Sequence, residues 1–334
     1  MKKVLVVGAG GFAGGFIVEE GLRRGYEIYA GIRESTSREY LEDKRIKFVI
    51  FDFEDDESLE KSLEEALPRG EKWDWIVYNL GATKALTFSD FSRINYEYLK
   101  KFLEALKNAD KLPEKFLMMS SLSVHGPRHE KDGKKFIETD IPAPNTRYGA
   151  SKLKAEMLLQ MDNIPYIIFR PTGIYGPRDK DYFLMLKTIS EGFDFSAGFR
   201  KQMLTFIYVE DLARAVFDAL EKAPLNQTYL ISEEASYSQK EFRRIASEAL
   251  GRKTVLSIPL PLWIVKAVST VAEKWGIARM KPSTLNRDKY NIMKQRNWDV
   301  DVSKARNDFG FRAEVPLKEG IKKAVEWYKK EKWL

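Results

Sequence analysis

Tyr148 and Lys152 stand four residues apart at the head of a helical stretch, so a phenol and an ammonium project from one face. A neighbouring lysine cation favours phenolate and is expected to draw the Tyr148 pKa from about 10 toward working pH, the requirement for a proton donor and acceptor. Ser121, in the run Ser120-Ser121-Leu122-Ser123, supplies a hydroxyl that can hydrogen-bond a reacting oxygen. These three side chains are the candidate catalytic set.

A second cluster lies at the amino end. Gly8, Gly11 and Gly14 have the spacing G-x-x-G-x-x-G between an apolar run and a helical stretch opened by Phe12. Such a turn lets backbone amides at the positive end of a helix approach a pyrophosphate, so Gly8, Gly11, Phe12 and Gly14 are expected to bind a dinucleotide. About eighteen residues past Gly14, where NAD-specific proteins place an acid on the adenosine ribose, stand Ile32 and Arg33. Arg33, with Ser35 and Arg38, suits a 2′-phosphate instead, so NADP is expected in preference to NAD.

The elements that must position these residues follow from periodicity. Residues 3–8 form a continuous apolar strand, and residues 12–24 carry helical spacing of Phe12, Phe16, Ile17 and Leu22. Further strands are predicted at 27–32, 47–51, 73–79, 115–119 and 166–169, mostly separated by amphipathic helices. This alternation implies an α/β fold, a doubly wound parallel sheet. Beyond Pro171 the pattern loosens, while a helix at 209–220 and a strand at 227–231 are expected to rejoin the sheet. The expected division is a dinucleotide-binding domain of 1–170 and 206–232, and a smaller substrate lobe of 171–205 and 233–334.

Composition narrows the class. In 334 residues, 44% hydrophobic and 31% charged, there is no cysteine, and only His125 and His129 offer imidazole, so a metal site is not expected. The net charge of +7 is interleaved along the chain rather than gathered in a stripe, which argues against a nucleic-acid partner. The opening MKKVLVVGAGGFAGG is followed by Glu19 and Glu20 and does not read as a signal peptide, so a cytoplasmic location is expected.

Further ordered motifs make the chain resemble an extended short-chain dehydrogenase/reductase, the superfamily of NAD-dependent epimerases and dehydratases. They are the glycine turn, Asp52-Phe53, Leu80-Gly81-Ala82, Asn95, the run Ser120 to Gly126 with His125 where the family has tyrosine, Tyr148/Lys152, Arg170-Pro171-Thr172-Gly173 and Phe206-Ile207-Tyr208-Val209. The resemblance implies that Asp52 and Phe53 contact adenine, that Leu80, Gly81, Ala82, Asn95 and Pro171 adjoin the cofactor, and that Lys152 orients its ribose and tunes Tyr148. It also implies a homodimer, commonly through helices like 90–107 and 146–161, whose nonpolar positions equally suit this chain's own sheet.

For the substrate, the arginine that nucleotide-sugar enzymes of the superfamily place two residues before the Phe206 segment is here Leu204. The tail, including Val255 to Trp275 and Trp298 to Ala305, is similar to 3β-hydroxysteroid dehydrogenase-like and dihydroflavonol reductase-like members. A small apolar, steroid- or flavonoid-like alcohol or carbonyl is therefore expected. The alternative is a nucleotide sugar, with Arg200, Lys201 and Arg287 as phosphate ligands. A non-catalytic dinucleotide sensor or scaffold is a third reading, which has little use for Ser121, Tyr148 and Lys152 together. The apolar stretch Ile258–Val271, broken by Pro259, Pro261 and Lys266, is too short to cross a bilayer. It is expected to wall the substrate pocket, with Trp263 and Trp275 in the core; a helix lying in a membrane surface is the lesser alternative.

Overall fold

A computed structural model describes all 334 residues. The chain begins β1 (Lys3–Val7), α1 (Phe12–Arg23), β2 (Glu27–Ile32), β3 (Lys47–Ile50), α2 (Asp56–Ala66) and β4 (Trp75–Tyr78). It continues through α3 (Phe88–Ser92), a π-helical turn at Arg93–Glu97, α4 (Tyr98–Asn108), β5 (Lys115–Met119) and α5 (Arg147–Met161). Then come β6 (Tyr166–Pro171), β7 (Gly173–Tyr175), α6 (Asp181–Ser190), β8 (Phe193–Ala197), β9 (Met203–Leu204), β10 (Phe206–Tyr208), α7 (Val209–Lys222) and β11 (Gln227–Ile231). The tail holds β12 (Tyr237–Ser238), α8 (Gln239–Leu250), β13 (Leu256–Leu260), α9 (Leu262–Ala278), α10 (Arg287–Lys294), α11 (Ser303–Phe309) and α12 (Leu317–Lys330).

Seven strands form one parallel sheet in the order β11-β6-β5-β4-β1-β2-β3. This is the doubly wound fold expected from the alternation, and β11 joins its edge as expected. Both faces are covered, which explains why the strands read as unbroken apolar runs. Val4 and Val6 turn toward α1 and α7, while Leu5 and Val7 turn toward α2 and α4. In α4 the apolar residues Leu99, Phe102, Leu103 and Leu106 all face this chain's own sheet. On α5, Met157 and Met161 remain exposed.

The tail is interleaved with the sheet rather than simply appended. Val300, Val302, Ala305, Phe309 and Phe311 join the core under the sheet, with Phe309 stacked on Phe169. A separate core gathers Tyr175, Leu186, Phe206, Tyr208, Phe242, Leu317, Ile321 and Tyr328 beyond the strand ends.

Between β1 and β4 the strand order reverses, and in open α/β sheets ligands lie at the carboxyl ends beside such a point. Here Gly8, at φ +83°, runs so close to the other side of the crevice that a Cβ on it would lie 2.9 Å from the Leu80 amide nitrogen.

Candidate functional site

A cleft of about 890 Å³ opens over the carboxyl ends of the strands, running from Arg33 and Tyr40 past the glycine turn to Tyr148 and Lys152, and outward to Leu204, Ile292 and Trp298. Gly8, Gly11 and Phe12 line it, as do Arg33, Phe53, Leu80, Gly81, Ser121, Tyr148, Lys152 and Pro171. The remaining expected residues act from behind. Gly14 packs α1 onto β1: a Cβ there would stand 2.2 Å from the Gly8 carbonyl oxygen. Asp52 is exposed and does not line the cleft; its carboxylate accepts from the Glu54 amide at 2.9 Å.

Ala82 is held rather than presented. The π-helical turn directs Asn95 inward, where Oδ1 accepts from the Ala82 amide (2.8 Å) and Nδ2 donates to the Ala82 carbonyl (3.1 Å) and the Ser151 hydroxyl (2.9 Å). Asn95 thereby ties the loop after β4 to α5.

Thr146 caps α5, its hydroxyl accepting from the Gly149 amide at 2.9 Å. Gly149 permits the helix to meet the turn after β5, since a Cβ there would lie 2.4 Å from the Ser123 carbonyl oxygen. That approach sets Tyr148 beside Ser121, and one turn on it buries Lys152. The Lys152 ammonium donates to the Met119 carbonyl at 2.9 Å and passes close to Gly81, where a Cβ would stand 2.7 Å from Nζ.

The expected lowering of the Tyr148 pKa is not what this arrangement produces. Burial pushes the Tyr148 phenol up, and the Ser121 hydroxyl opposes the shift only in part. Lys152 itself is pushed down to about 8 by burial, against the attraction of Glu156. Its ammonium is turned toward Met119, and burial dominates the phenol.

Behind the pair lies a buried polar chain. Ser120 donates to Glu156; Arg170 holds both Glu156 oxygens, at 3.0 Å from Nε and 2.6 Å from Nη2, and reaches His125 Nε2 at 3.1 Å. Because arginine can only donate, His125 Nε2 accepts, and its proton sits on the unpartnered Nδ1. Burial, reinforced by the Arg170 charge, pushes His125 down to about 3.

Several expected roles are not realised. Arg38 lies 4.5 Å from the Phe48 ring and, like Ser35, does not line the cleft, leaving Arg33 alone at the end of β2. Arg200 and Lys201 do not line the cleft, and Arg287 is locked by three hydrogen bonds to Glu273. No residue between Ile258 and Val271 lines it, so that segment does not wall the pocket. Trp263 and Trp275 are not core residues: both are exposed.

The structure also adds residues. Arg178 lies 4.4 Å from the Phe16 ring and 4.3 Å from Tyr40 over the cofactor end. Lys84 pairs with Asp181 at the outer end. Asp179 is pushed up to about 6 by burial, against hydrogen bonds from the Asp181 and Tyr182 amides. Asp288 accepts from the Tyr148 amide at 3.1 Å. Arg178 falls between the motifs quoted above, after Gly173 and before Phe206; for Asp288, 140 residues from its partner, the sequence carries no signal.

Together the glycine turn, the switch-point cleft and the Ser121-Tyr148-Lys152 grouping define a Rossmann-type dinucleotide-binding protein. The NAD dependent epimerase/dehydratase family model matches residues 4–232. The chain belongs to this family. It is 23% identical over 333 residues to a ceramide reductase of Caulobacter vibrioides, covering 99% of this chain and 96% of that protein. It is 24% identical to a dTDP-glucose 4,6-dehydratase of Neisseria gonorrhoeae, covering 98% and 95%. Among solved structures, the UDP-glucose 4-epimerase of Thermus thermophilus in complex with NAD aligns with a TM-score of 0.77 at 21% identity, over 98% of this chain and 99% of that one.

The described residues fit such a cofactor. The amides opening α1 have no partners within the helix, and the cleft they face continues to Lys152. Its far end leaves room for a second molecule beside Tyr148.

Proposed function

We propose that the protein is an NAD(P)H-dependent reductase that interconverts a ketone and a secondary alcohol on an apolar, lipid-like substrate. A nicotinamide dinucleotide in the cleft would supply or accept the hydride. Gly8, Gly11 and Phe12 would hold its pyrophosphate, Lys152 its ribose, and Arg33 the 2′-phosphate of NADP. Tyr148 gives its proton to the carbonyl oxygen as the alcohol forms, and is reprotonated from solvent. Ser121 donates a hydrogen bond to the same oxygen. The high resting pKa of Tyr148 suits this direction, because the phenol enters the reaction protonated.

The substrate choice rests on the outer cleft. Met185, Leu204, Phe206, Ile292 and Trp298 line it, and its lysines Lys84, Lys180 and Lys289 are balanced by Asp179, Asp181 and Asp288. A diphosphate is ordinarily met by a surplus of cations, with arginine as a bidentate ligand. With Leu204 in place of an arginine and Arg287 locked, the arginines that line the cleft, Arg33 and Arg178, lie toward its cofactor end rather than at the outer end where that task would fall. The likeness to a ceramide reductase along nearly the whole chain supports a long-chain lipid ketone over a steroid or flavonoid.

The Neisseria dehydratase and the Thermus epimerase favour a second reading, a nucleotide-sugar epimerase or dehydratase. The test is to incubate the protein with NADPH or NADH and a ceramide carrying a ketone in its long-chain base, and in parallel with oxidised NAD and UDP-glucose or dTDP-glucose. Reduced cofactor consumed with the ketone alone supports the reductase. An epimer or 4-keto sugar from the nucleotide sugars, with no turnover of the ketone, establishes the second reading in its place.

A further inference from the structure

Helix α9 is built inside out. Its inward positions, four residues apart, are Val265, Ser269 and Glu273, of which Ser269 is fully buried with no partner for its hydroxyl. Its outward side carries Trp263 (72% exposed), Val268, Val271 (67%) and Trp275 (62%), and Met280 follows just beyond its end. A helix on a water-facing surface has the opposite pattern, with its apolar stripe toward the core. Exposed tryptophans at both ends of an apolar face need a covering phase.

The charges say which phase. From Leu256 to Lys281 the only acid is Glu273, and it is buried; burial would raise its pKa, yet hydrogen bonds from Arg287 and Arg147 hold it at about 2. Every other charged group there is an exposed cation: Lys266, Lys274, Arg279 and Lys281, with Arg279 3.9 Å from the Trp275 ring. Beside the start of the helix, Gly198 packs against Leu262 and leads into exposed Phe199, Arg200 and Lys201. Apolar and aromatic side chains on a segment whose exposed charges are all cations match a bilayer surface, where tails take the apolar groups and anionic headgroups take the lysines. A second copy docked face to face would set lysine against lysine. No helix is long and apolar enough to cross a membrane.

We propose that α9 lies in the plane of an anionic lipid surface and holds the cleft mouth against it. The link to the cleft is short and polar. Glu273 binds Arg147, the neighbour of Tyr148, at 2.8 Å, and caps Arg287 at the start of α10. In turn, α10 contributes Lys289 and Ile292 to the outer cleft. A lipid ketone would then pass from bilayer to cleft without crossing water. The docking stands on the surface of α9 and holds whichever substrate the cleft takes, although it deepens the lipid-ketone reading if both are right.

The test is co-sedimentation of the full chain with vesicles of phosphatidylglycerol and phosphatidylcholine in equal parts, and with phosphatidylcholine alone. Binding to the anionic vesicles is expected, weakening with salt and falling about tenfold or more in Val271→Glu and in the double variant Trp263→Gln/Trp275→Gln. These positions are exposed, and unchanged melting temperatures would show that the variants fold. Absence of binding to either vesicle overturns the proposal. So does a dimer by light scattering that Val271→Glu dissociates while vesicle binding stays undetectable, which would assign the face to a second copy. Vesicle binding is read without turnover, so its failure is separate from failure of the reductase reading.

Discussion

The ammonium of Lys152 donates to the carbonyl oxygen of Met119 at 2.9 Å, close beside Gly81. Burial pushes Lys152 down to about 8, whereas in the unfolded chain its pKa is about 10.5. Between those values the unfolded chain binds the extra proton, so stability contributed here rises with pH from about 8 to about 10.5. Lys152→Met removes that penalty and is expected to be more stable than the parent by about 3 kcal/mol at pH 7, the advantage vanishing near pH 10.5. Urea unfolding across that range measures it; an advantage that does not change with pH would contradict the burial argument.

Tyr148→Phe keeps the ring against Phe91 and removes only the hydroxyl. Turnover should fall by about 10²–10⁴-fold, the usual worth of a proton-transfer group, with cofactor affinity nearly unchanged. Turnover within tenfold of the parent would take Tyr148 out of the reaction.

Arg33 projects from the end of β2 without an ion-pair partner and lines the cleft. Arg33→Ala should weaken NADPH by about 10-fold or more while changing NADH little, since a hydrogen bond to a charged group contributes about 1.5–3 kcal/mol. Calorimetric titration with the two cofactors decides it, and equal losses would remove the NADP assignment.

Glu156 is the acceptor on which Ser120 and Arg170 converge, and Glu156 and Arg170 are both almost wholly buried. Glu156→Gln leaves the Arg170 cation without its counter-charge and should cost about 3–5 kcal/mol in urea unfolding. A loss below about 1 kcal/mol would mean that water or another group takes over.

His125, held as an acceptor by Arg170 and pushed down to about 3, should remain neutral with its proton on Nδ1 through the acid range. In the unfolded chain the ring takes up a second proton near pH 6.5, so this site lowers stability as pH falls from about 6.5 toward about 3. Nitrogen-15 spectra of the ring would show a neutral Nδ1–H tautomer at pH 5; an imidazolium there would refute the assignment.

Periodicity and local chemistry carried much of this protein. The apolar run at 3–8 announced a buried parallel strand, because a sheet covered on both faces needs no alternation, and the regular stretch at 227–231 announced a further strand of the sheet. The glycine turn and the four-residue spacing of Tyr148 and Lys152 are likewise local, and the motif order placed Ser121 beside them. Folding decided what depends on distant partners. Asp52 turns to its own loop, Asn95 holds Ala82 from behind, and Arg287 is taken by Glu273. The Tyr148 pKa moves up because burial outweighs a lysine committed to Met119. For α9 the sequence showed only an apolar stretch. Which side of it faces outward was set by Arg147 and Arg287, which draw Glu273 inward and leave two tryptophans on the surface.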